Sequence, residues 1–381
     1  MFEKSILVTG GAGFIGTNFV AYFARTYPNY RLIDLDALTY AGSRCAFDAQ
    51  KQIPNVVPVE GDIRNAELVR DLLEKYDITG VIHFAAESHV DNSIVDPLLF
   101  VDTNVNGTVA LLNESLRYWK RRGCLAQARF HHISTDEVYG SLGNEGFFTE
   151  KTPYAPNGPY SASKAASDLL VRAYCRTYGM NATISNCSNN YGPWQHSEKL
   201  IPTIIRKALA HEAIPLYGNG SNVRDWIWVM DHCRAVDKIF HDGQAGESYN
   251  VGSHEEHSNL DMMRIVCRLL DRLEPWGGHR YEELIKNVTD RPGHDFRYAI
   301  DANKIRRELG WNPEMSFETG IKQTVQWYLN LHRQLANQKK KNKRRRRKIT
   351  AKDTFQKRNL TRTELWGTLI RTTMTIITKA Y

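Results

Sequence analysis

The sequence predicts an α/β fold built on a doubly wound parallel sheet, followed by a smaller α/β substrate-binding domain. Three observations predict it. A glycine-rich loop, Gly10-Gly11-Ala12-Gly13-Phe14-Ile15-Gly16, joins an apolar β-branched run to a helix-length run. The next β-rich run ends in an acid, Asp36, twenty residues after Gly16. Short apolar runs then keep alternating with helix-length segments. That is the pattern of a Rossmann sheet, which binds ligands at the carboxyl ends of its strands.

Ser5 to Thr9 is short, apolar and β-branched, and reads as a buried strand. Glycine at 10, 13 and 16 lets the backbone turn sharply and approach a pyrophosphate, which the following helix faces with its N-terminus. Tyr30 to Asp36 is the next strand. Asp36 can accept hydrogen bonds from an adenosine ribose and repels a 2′-phosphate, so the implied cofactor is NAD rather than NADP. Asp34 competes for that role, but Asp36 lies nearer the strand end. Val56 to Val59 is a third strand; beyond it Asp62 either marks the adenine edge of the site or caps a helix starting near Ala66. Gly80 to Ala86 is the fourth, and the small tip Ala85-Ala86 lets a dinucleotide pass closely. A helix from Pro97 to Trp119 carries Thr103, Asn104 and Asn106 on its early turns.

The segment His131 to Gly140 reads as a buried strand with a polar tip, Ser134-Thr135-Asp136-Glu137. Adjacent acids at a strand end are, taken alone, solvated loop residues. Here Tyr160 and Lys164 follow, spaced i, i+4 and so on one helix face. Of the 18 tyrosines only Tyr160 has lysine at +4, and Pro153, Pro156 and Pro159 start the helix beside it. A nearby ammonium favours phenolate, and a phenolate can take the proton of a substrate hydroxyl during hydride transfer to a nicotinamide. The Thr135 hydroxyl can hydrogen-bond the carbonyl so formed. Two carboxyls in unequal surroundings can be tuned apart into an acid and a base.

Composition narrows the field. The net charge is +8 over 381 residues, but the segment from Lys339 onward carries 15 Lys/Arg against 2 Asp/Glu. That segment holds +13, so the body holds −5 and gives no nucleic-acid signal. The six cysteines are scattered, with no CxxC pair, which implies reduced thiols, a cytoplasmic setting and no metal site. Met1-Phe2-Glu3-Lys4 has no signal-peptide layout, and no run approaches the ~20 apolar residues of a membrane span.

Four motifs, T-G-G-A-G-F-I-G, A-A-E-S-H-V-D, S-T-D-E-V-Y-G and Y-S-A-S-K, together resemble the nucleoside-diphosphate-glucose 4,6-dehydratases of the extended short-chain dehydrogenase/reductase superfamily. The resemblance spans roughly residues 4 to 333. Related sugar-nucleotide epimerases share the glycine loop and the Tyr/Lys pair but usually lack the acid pair. The resemblance implies that Tyr160 takes the glucose 4-hydroxyl proton, Glu137 the C5 proton, and that Asp136 protonates the departing 6-hydroxyl. It implies NAD contacts from Phe14, Ile15, Thr39, Ile63, Ser88 and Asn190 as well as the residues above. It implies a nucleotide-sugar site formed by Ser88, Thr135, Asn189, Lys199, Leu200, Pro215, Tyr217, Arg224, Asn259, Arg291 and His294. It also implies a homodimer, with the helices 97–119 and 160–178 meeting their copies. Segments 43–48 and 194–197 depart from the family's pattern, and the thymidine or uridine base is left open.

The expected organisation is a cofactor domain over 1–186 with returning segments near 225–255, a substrate domain mainly over 187–335, and a basic tail over 336–381. The run Lys339 to Lys348 predicts disorder. A nuclear or nucleic-acid patch, an anionic-lipid contact and an idle extension are the readings of the tail, the last because nothing in the enzyme needs it. Two other functions remain open at this point: a nucleotide-sugar epimerase or decarboxylase, and a non-catalytic NAD-binding module tethered by its tail.

Overall fold

The computed structural model describes residues 2–290 and 292–350, with side chains placed through Gln338. The strands are β1 (Lys4–Thr9), β2 (Tyr30–Asp36), β3 (Val56–Glu60), β4 (Ile78–His83), β5 (Arg129–Thr135), β6 (Ala182–Cys187), β7 (Asn189–Tyr191), β8 (Ile214–Tyr217), β9 (Val223–Trp228), β10 (Ser248–Val251), β11 (Glu256–Ser258) and β12 (Ile285–Val288). Seven of them form one sheet in the order β10-β6-β5-β4-β1-β2-β3. Every pairing in it is parallel. The chain runs outward from β1 to β3 and then returns to β4 on the other side. The crevice above β1 and β4 is therefore the switch point where such sheets bind ligands. A three-stranded sheet, β11-β9-β7, and a pair, β12-β8, lie outside it.

Alternation along each strand divides the core between two faces. Ile6, Val8, Leu32 and Ile82 pack with Phe19 and Phe23 of the helix Phe14–Thr26 and with Val236 and Phe240 of the helix Val229–Asp242. Leu7, Ile33, Val81 and Phe130 face the other way, against Leu111 and Trp119 of the helix Gly107–Arg122 and Val171 of the helix Pro159–Tyr178. Strands buried on both faces read as continuous apolar runs, which is why the Ile6-Leu7-Val8 centre of β1 is plain in the sequence. No described helix is long and apolar enough to cross a membrane.

Three expectations change. The fourth strand stops at His83, so Phe84 to Ala86 leave the sheet before Ala85 and Ala86 reach the crevice. The helix expected over 97–119 is a short helix, Pro97–Phe100, a wide π-type turn, Val101–Asn106, and then Gly107–Arg122. Polar anchoring accompanies the turn: Asn104 accepts from the Glu87 amide (2.8 Å) and donates to Glu87 O (3.1 Å) and Ser163 Oγ (2.8 Å). The last described helix runs from Phe317 to Thr350, so the backbone is helical through Lys339 to Lys348 where charge predicts disorder. Lys and Arg are good helix formers, and extending a helix costs far less than nucleating one. Residues 351–381 lie outside the described residues.

Candidate active site

A cavity of about 340 Å3 opens above the switch point. Gly10 turns the chain out of β1 at φ +77°, and a Cβ there would lie 2.7 Å from Ala85 N. At Gly16 a Cβ would lie 2.1 Å from Gly10 O and 2.7 Å from Gly11 Cα. The helix can therefore start against the loop only if residue 16 has no side chain. Gly10, Gly13, Phe14, Ile15, Gly16, Asp36, Thr39, Asp62, Ile63, Ala85, Ala86, Ser88, Thr103 and Asn190, predicted to hold the cofactor, all line this cavity, together with Tyr160 and Lys164.

The two acids of β2 divide in position. Asp34 is fully buried beneath the loop, where it accepts from Gly11 N (2.8 Å); burial, then Asp36, pushes it up to about 7. Asp36 is the one at the cavity wall. It accepts from Ala12 N (2.9 Å) and Leu38 N (2.7 Å), and these bonds partly offset the rise that burial imposes. Asp62 caps no helix. Asn65 caps Ala66–Tyr76 by accepting from Leu68 N (3.1 Å), and Asp62 pairs with Arg64 (2.7 Å) at the cavity wall. A glycine cradle at a helix N-terminus and a carboxylate at the end of the second strand fit a dinucleotide.

The opposite wall is built by β5 and the helix Pro159–Tyr178. β5 ends in a 3-10 turn, Asp136–Tyr139, which Thr135 caps through Glu137 N (3.3 Å). Thr135 Oγ1 also donates to Asp136 Oδ1 (3.2 Å). Asp136 Oδ2 is buried without a hydrogen bond. Burial, then Glu137, then Asp225 push the Asp136 carboxyl well above the usual carboxylate range, which favours its protonated form. Glu137 is half-buried and lines the same wall. Acid, carboxylate, hydroxyl and phenol thus converge on one cavity.

Tyr160 departs from expectation. Burial, then Glu137, Cys187 and Asp136, hold its phenol well above 10, against a lowering by hydrogen bonding with Thr135. The ammonium that should favour phenolate points elsewhere: Lys164 Nζ donates to Ile133 O (2.8 Å) and lies 3.3 Å from His132 Nε2. Desolvating a phenolate between two carboxyls outweighs the spacing argument. At rest Tyr160 is a phenol.

With this geometry in view, comparison with known proteins is decisive. The family described as GDP-mannose 4,6 dehydratase matches residues 7–324. The chain belongs to that dehydratase family. A dTDP-glucose 4,6-dehydratase of Xanthomonas campestris pv. campestris is 53% identical over 329 residues, 85% of this chain and 92% of the relative. One from Escherichia coli is 46% identical over 342 residues, 85% and 93% respectively. The crystal structure of a dTDP-glucose 4,6-dehydratase from Streptomyces venezuelae, solved with NAD bound, matches at TM-score 0.78 and 44% identity over 86% of this chain and 97% of that one. A UDP-glucose 4-epimerase from Thermotoga maritima has TM-score 0.76 at 26% identity, over 86% and 99%. The scaffold is therefore shared with epimerases, and the reaction must be read from the side chains.

Within the dehydratase family's expected sugar-nucleotide set, Ser88, Thr135, Asn189 and Lys199 line the cavity, and Lys199 Nζ donates to Ser88 O (2.8 Å). Leu200, Pro215, Tyr217, Arg224, Asn259 and His294 do not. Leu200 opens the helix Leu200–Leu209, packed on the core; Pro215 and Tyr217 lie on β8, paired with β12. Asn259 opens the helix Asn259–Leu273 and donates its amide to Asn222 O (2.9 Å). His294 Nδ1 meets Asp290 Oδ1 at 2.7 Å. Arg224 is buried on β9, where it donates to Val223 O (2.7 Å), Asp295 O (2.9 Å) and Phe296 O (3.3 Å). It is still close enough to lower Asp136. Arg291 lies outside the described residues. In the segment 194–197, Gln195 lines the cavity and donates to Asn190 O (3.0 Å), and Trp194 packs on Trp327 (5.6 Å between ring centroids).

Sequence reasoning passed over Glu87, Arg64 and Glu198 at the cavity wall and the buried pair His132 and Asp168 behind it. Asp168 had a signal, since it stands one further i+4 step beyond Tyr160 and Lys164. Gly16→Ala tests the cradle. A methyl group forced against Gly10 O is expected to cost ~1–3 kcal/mol, seen as a lower Tm, and to weaken NAD binding by at least about tenfold in a titration. Wild-type affinity in that variant would mean the loop does not seat the cofactor.

Proposed function

We propose that the chain is an NAD-dependent dTDP-glucose 4,6-dehydratase, a hydro-lyase that converts dTDP-glucose to dTDP-4-keto-6-deoxyglucose. The observation that carries this reading is the buried Asp136, its carboxyl shifted toward the acid form, beside Glu137 at the wall shared with Tyr160. The glycine loop and Asp36 would hold NAD. When bound, NAD+ supplies the chemistry the chain lacks, accepting the C4 hydride and giving it back at C6.

The chain's own groups do the proton work. Tyr160 takes the proton of the 4-hydroxyl once its own phenolic proton has passed to solvent, and Thr135 donates a hydrogen bond to the resulting C4 oxygen. The 4-keto group acidifies C5. Glu137 takes the C5 proton, the C5–C6 double bond forms, and the C6–O bond breaks as Asp136 protonates the leaving hydroxyl to water; as C6 is reduced Glu137 returns a proton to C5, and the proton taken from the 4-hydroxyl restores Asp136. Burial serves this step directly, because an ionised Asp136 could not supply that proton. Activity therefore has an alkaline limb, lost as pH rises through the raised Asp136 value. Parallel assays with dTDP-glucose and UDP-glucose test the reading. The expected result is turnover of the thymidine nucleotide to a product that absorbs in the ultraviolet in alkali; a 4-epimer, or turnover of UDP-glucose alone, would contradict it.

A homodimer fits the surface. Val95 (86% exposed), Leu98 (72%), Ile94 and Val101 stand on the segment 90–106, and Leu169 (55%) on the helix that packs against it. Exposed apolar side chains grouped on packed neighbouring elements suit a second copy; a monomer in sedimentation equilibrium would argue against it. The six free cysteines, four of them buried, suit a reducing compartment such as the cytoplasm. The residues 1–186 with the returning 225–255, which bring β10 beside β6, would form the cofactor domain, and 187–335 mainly the substrate domain.

A further inference from the structure

Behind the cavity wall lies a buried polar group that the proton steps above do not use. Tyr160, Lys164 and Asp168 follow each other at i+4 steps along the helix Pro159–Tyr178. Lys164 and Asp168 are both buried. Between them, on β5, stands His132, fully buried and held neutral by burial and by Lys164. Its Nε2 lies 3.3 Å from Lys164 Nζ and 3.3 Å from Asp168 Oδ1. An ammonium can only donate, so toward Lys164 this nitrogen must accept. A nitrogen that accepts has no proton to offer Asp168. Accordingly Asp168 Oδ1 and His132 Nδ1 are both buried without a hydrogen bond. The other oxygen, Asp168 Oδ2, is saturated by Ser134 Oγ (2.8 Å), Tyr154 Oη (2.9 Å) and Asn186 Nδ2 (3.2 Å).

Three donors on one carboxylate oxygen favour the ionised form. An ionised carboxylate at this depth needs a cation, and Lys164 is the cation that pulls Asp168 down against burial. Reciprocally, burial brings the Lys164 ammonium down to about 8 and Asp168 is the strongest influence raising it. The other groups around Lys164 are Tyr160 on its own helix, the Ile133 carbonyl on β5, Cys187 on β6 and His83 on β4. Apart from Asp168, none of them is an ionised acid at neutral pH.

We propose that Asp168, whose charge lies across the neutral imidazole of His132 from Lys164, is a positioning residue that keeps Lys164 charged and in place at the cavity wall. The role rests on the proposed function only in that Lys164 serves the oxidation half of the reaction. The test does not depend on turnover. In the full chain with 13Cε-labelled lysine, the Lys164 titration is followed by NMR in the wild type, in Asp168→Asn and in Ser134→Ala. Asparagine keeps the acceptor oxygen but removes the charge, so the Lys164 midpoint is expected to fall by about one to three pH units. Ser134→Ala removes one of the three donors, and a smaller shift in the same direction is expected. The pH dependence of the first oxidation, read in a single turnover, should move down with the midpoint in each variant. If the midpoint stays in place in Asp168→Asn, or in Ser134→Ala should the first variant not fold, Asp168 has only a structural role. A shifted midpoint with no turnover of dTDP-glucose by the wild type would retain this inference and sink the proposed function instead.

Discussion

Tyr160→Phe is expected to lower kcat by about 10²–10⁴-fold, the usual weight of a positioned proton acceptor, while nucleotide binding stays close to wild type. The reason is geometric. Tyr160 shares the cavity wall with Thr135, Asp136 and Glu137, and its phenol is held protonated by burial between the two carboxyls. A resting phenolate would be a ready base; a resting phenol must lose its proton before or as it takes one. Its raised pKa means that positive charge in the assembled complex has to offset desolvation, which makes catalysis sensitive to Lys164. Rapid-quench analysis of a single turnover reads this directly. Loss of the first oxidation is expected, with no 4-keto species formed. A variant that oxidises C4 at near wild-type rate would remove Tyr160 from the mechanism and point to a carboxylate base.

Asp136→Asn has a different signature. Oxidation at C4 should persist while water loss slows by about 10²–10⁴-fold, so that the 4-keto-glucose nucleotide accumulates in quenched samples. Slower oxidation than water loss would reassign the residue. A stability change accompanies the catalytic one. The folded-state pKa of Asp136 is raised, so its contribution to stability is full below the unfolded value of about 3.9 and is lost as pH rises through the folded value. Asparagine carries no such loss and can hydrogen-bond where Asp136 Oδ2 has no partner. The variant should therefore gain in Tm relative to wild type as pH rises from 4 toward neutrality, by roughly a few degrees at most for a chain of this size. A gain that shrinks with rising pH would show that the carboxyl is already ionised at rest.

What the sequence made legible is what depends on neighbours along the chain. The glycine loop, Asp36 and the Tyr160–Lys164 spacing are local, and each stands in the cavity where the strand–helix context puts it. The readings that failed depend on what comes from elsewhere in space. Lys164 was expected to serve Tyr160, but the Ile133 carbonyl and His132 of β5 are what it meets. The turn at Val101–Asn106 is tied to Glu87 and Ser163, which no helical periodicity could reveal. For Asp62 the alternative reading as a cap gives way because Asn65 is closer to the helix it caps, while Asp62 itself stands at the cavity wall. Of the more distant substrate-side residues, Asn189 and Lys199 reach the cavity while Arg224 is turned onto backbone carbonyls, a choice set by the packing of β9 against Asp295 and Phe296. Asp168 was readable as one more step of the same helix face, but its importance appears only once His132 is seen between it and Lys164.

The central claim is that oxidation, water loss and reduction occur on one sugar in one cavity. It is tested most directly with dTDP-glucose carrying deuterium at C4, turned over alongside an unlabelled sugar nucleotide of distinguishable mass. The account predicts that the label reappears at C6 of the same molecule. Deuterium lost to solvent, or found on the unlabelled partner, would contradict it.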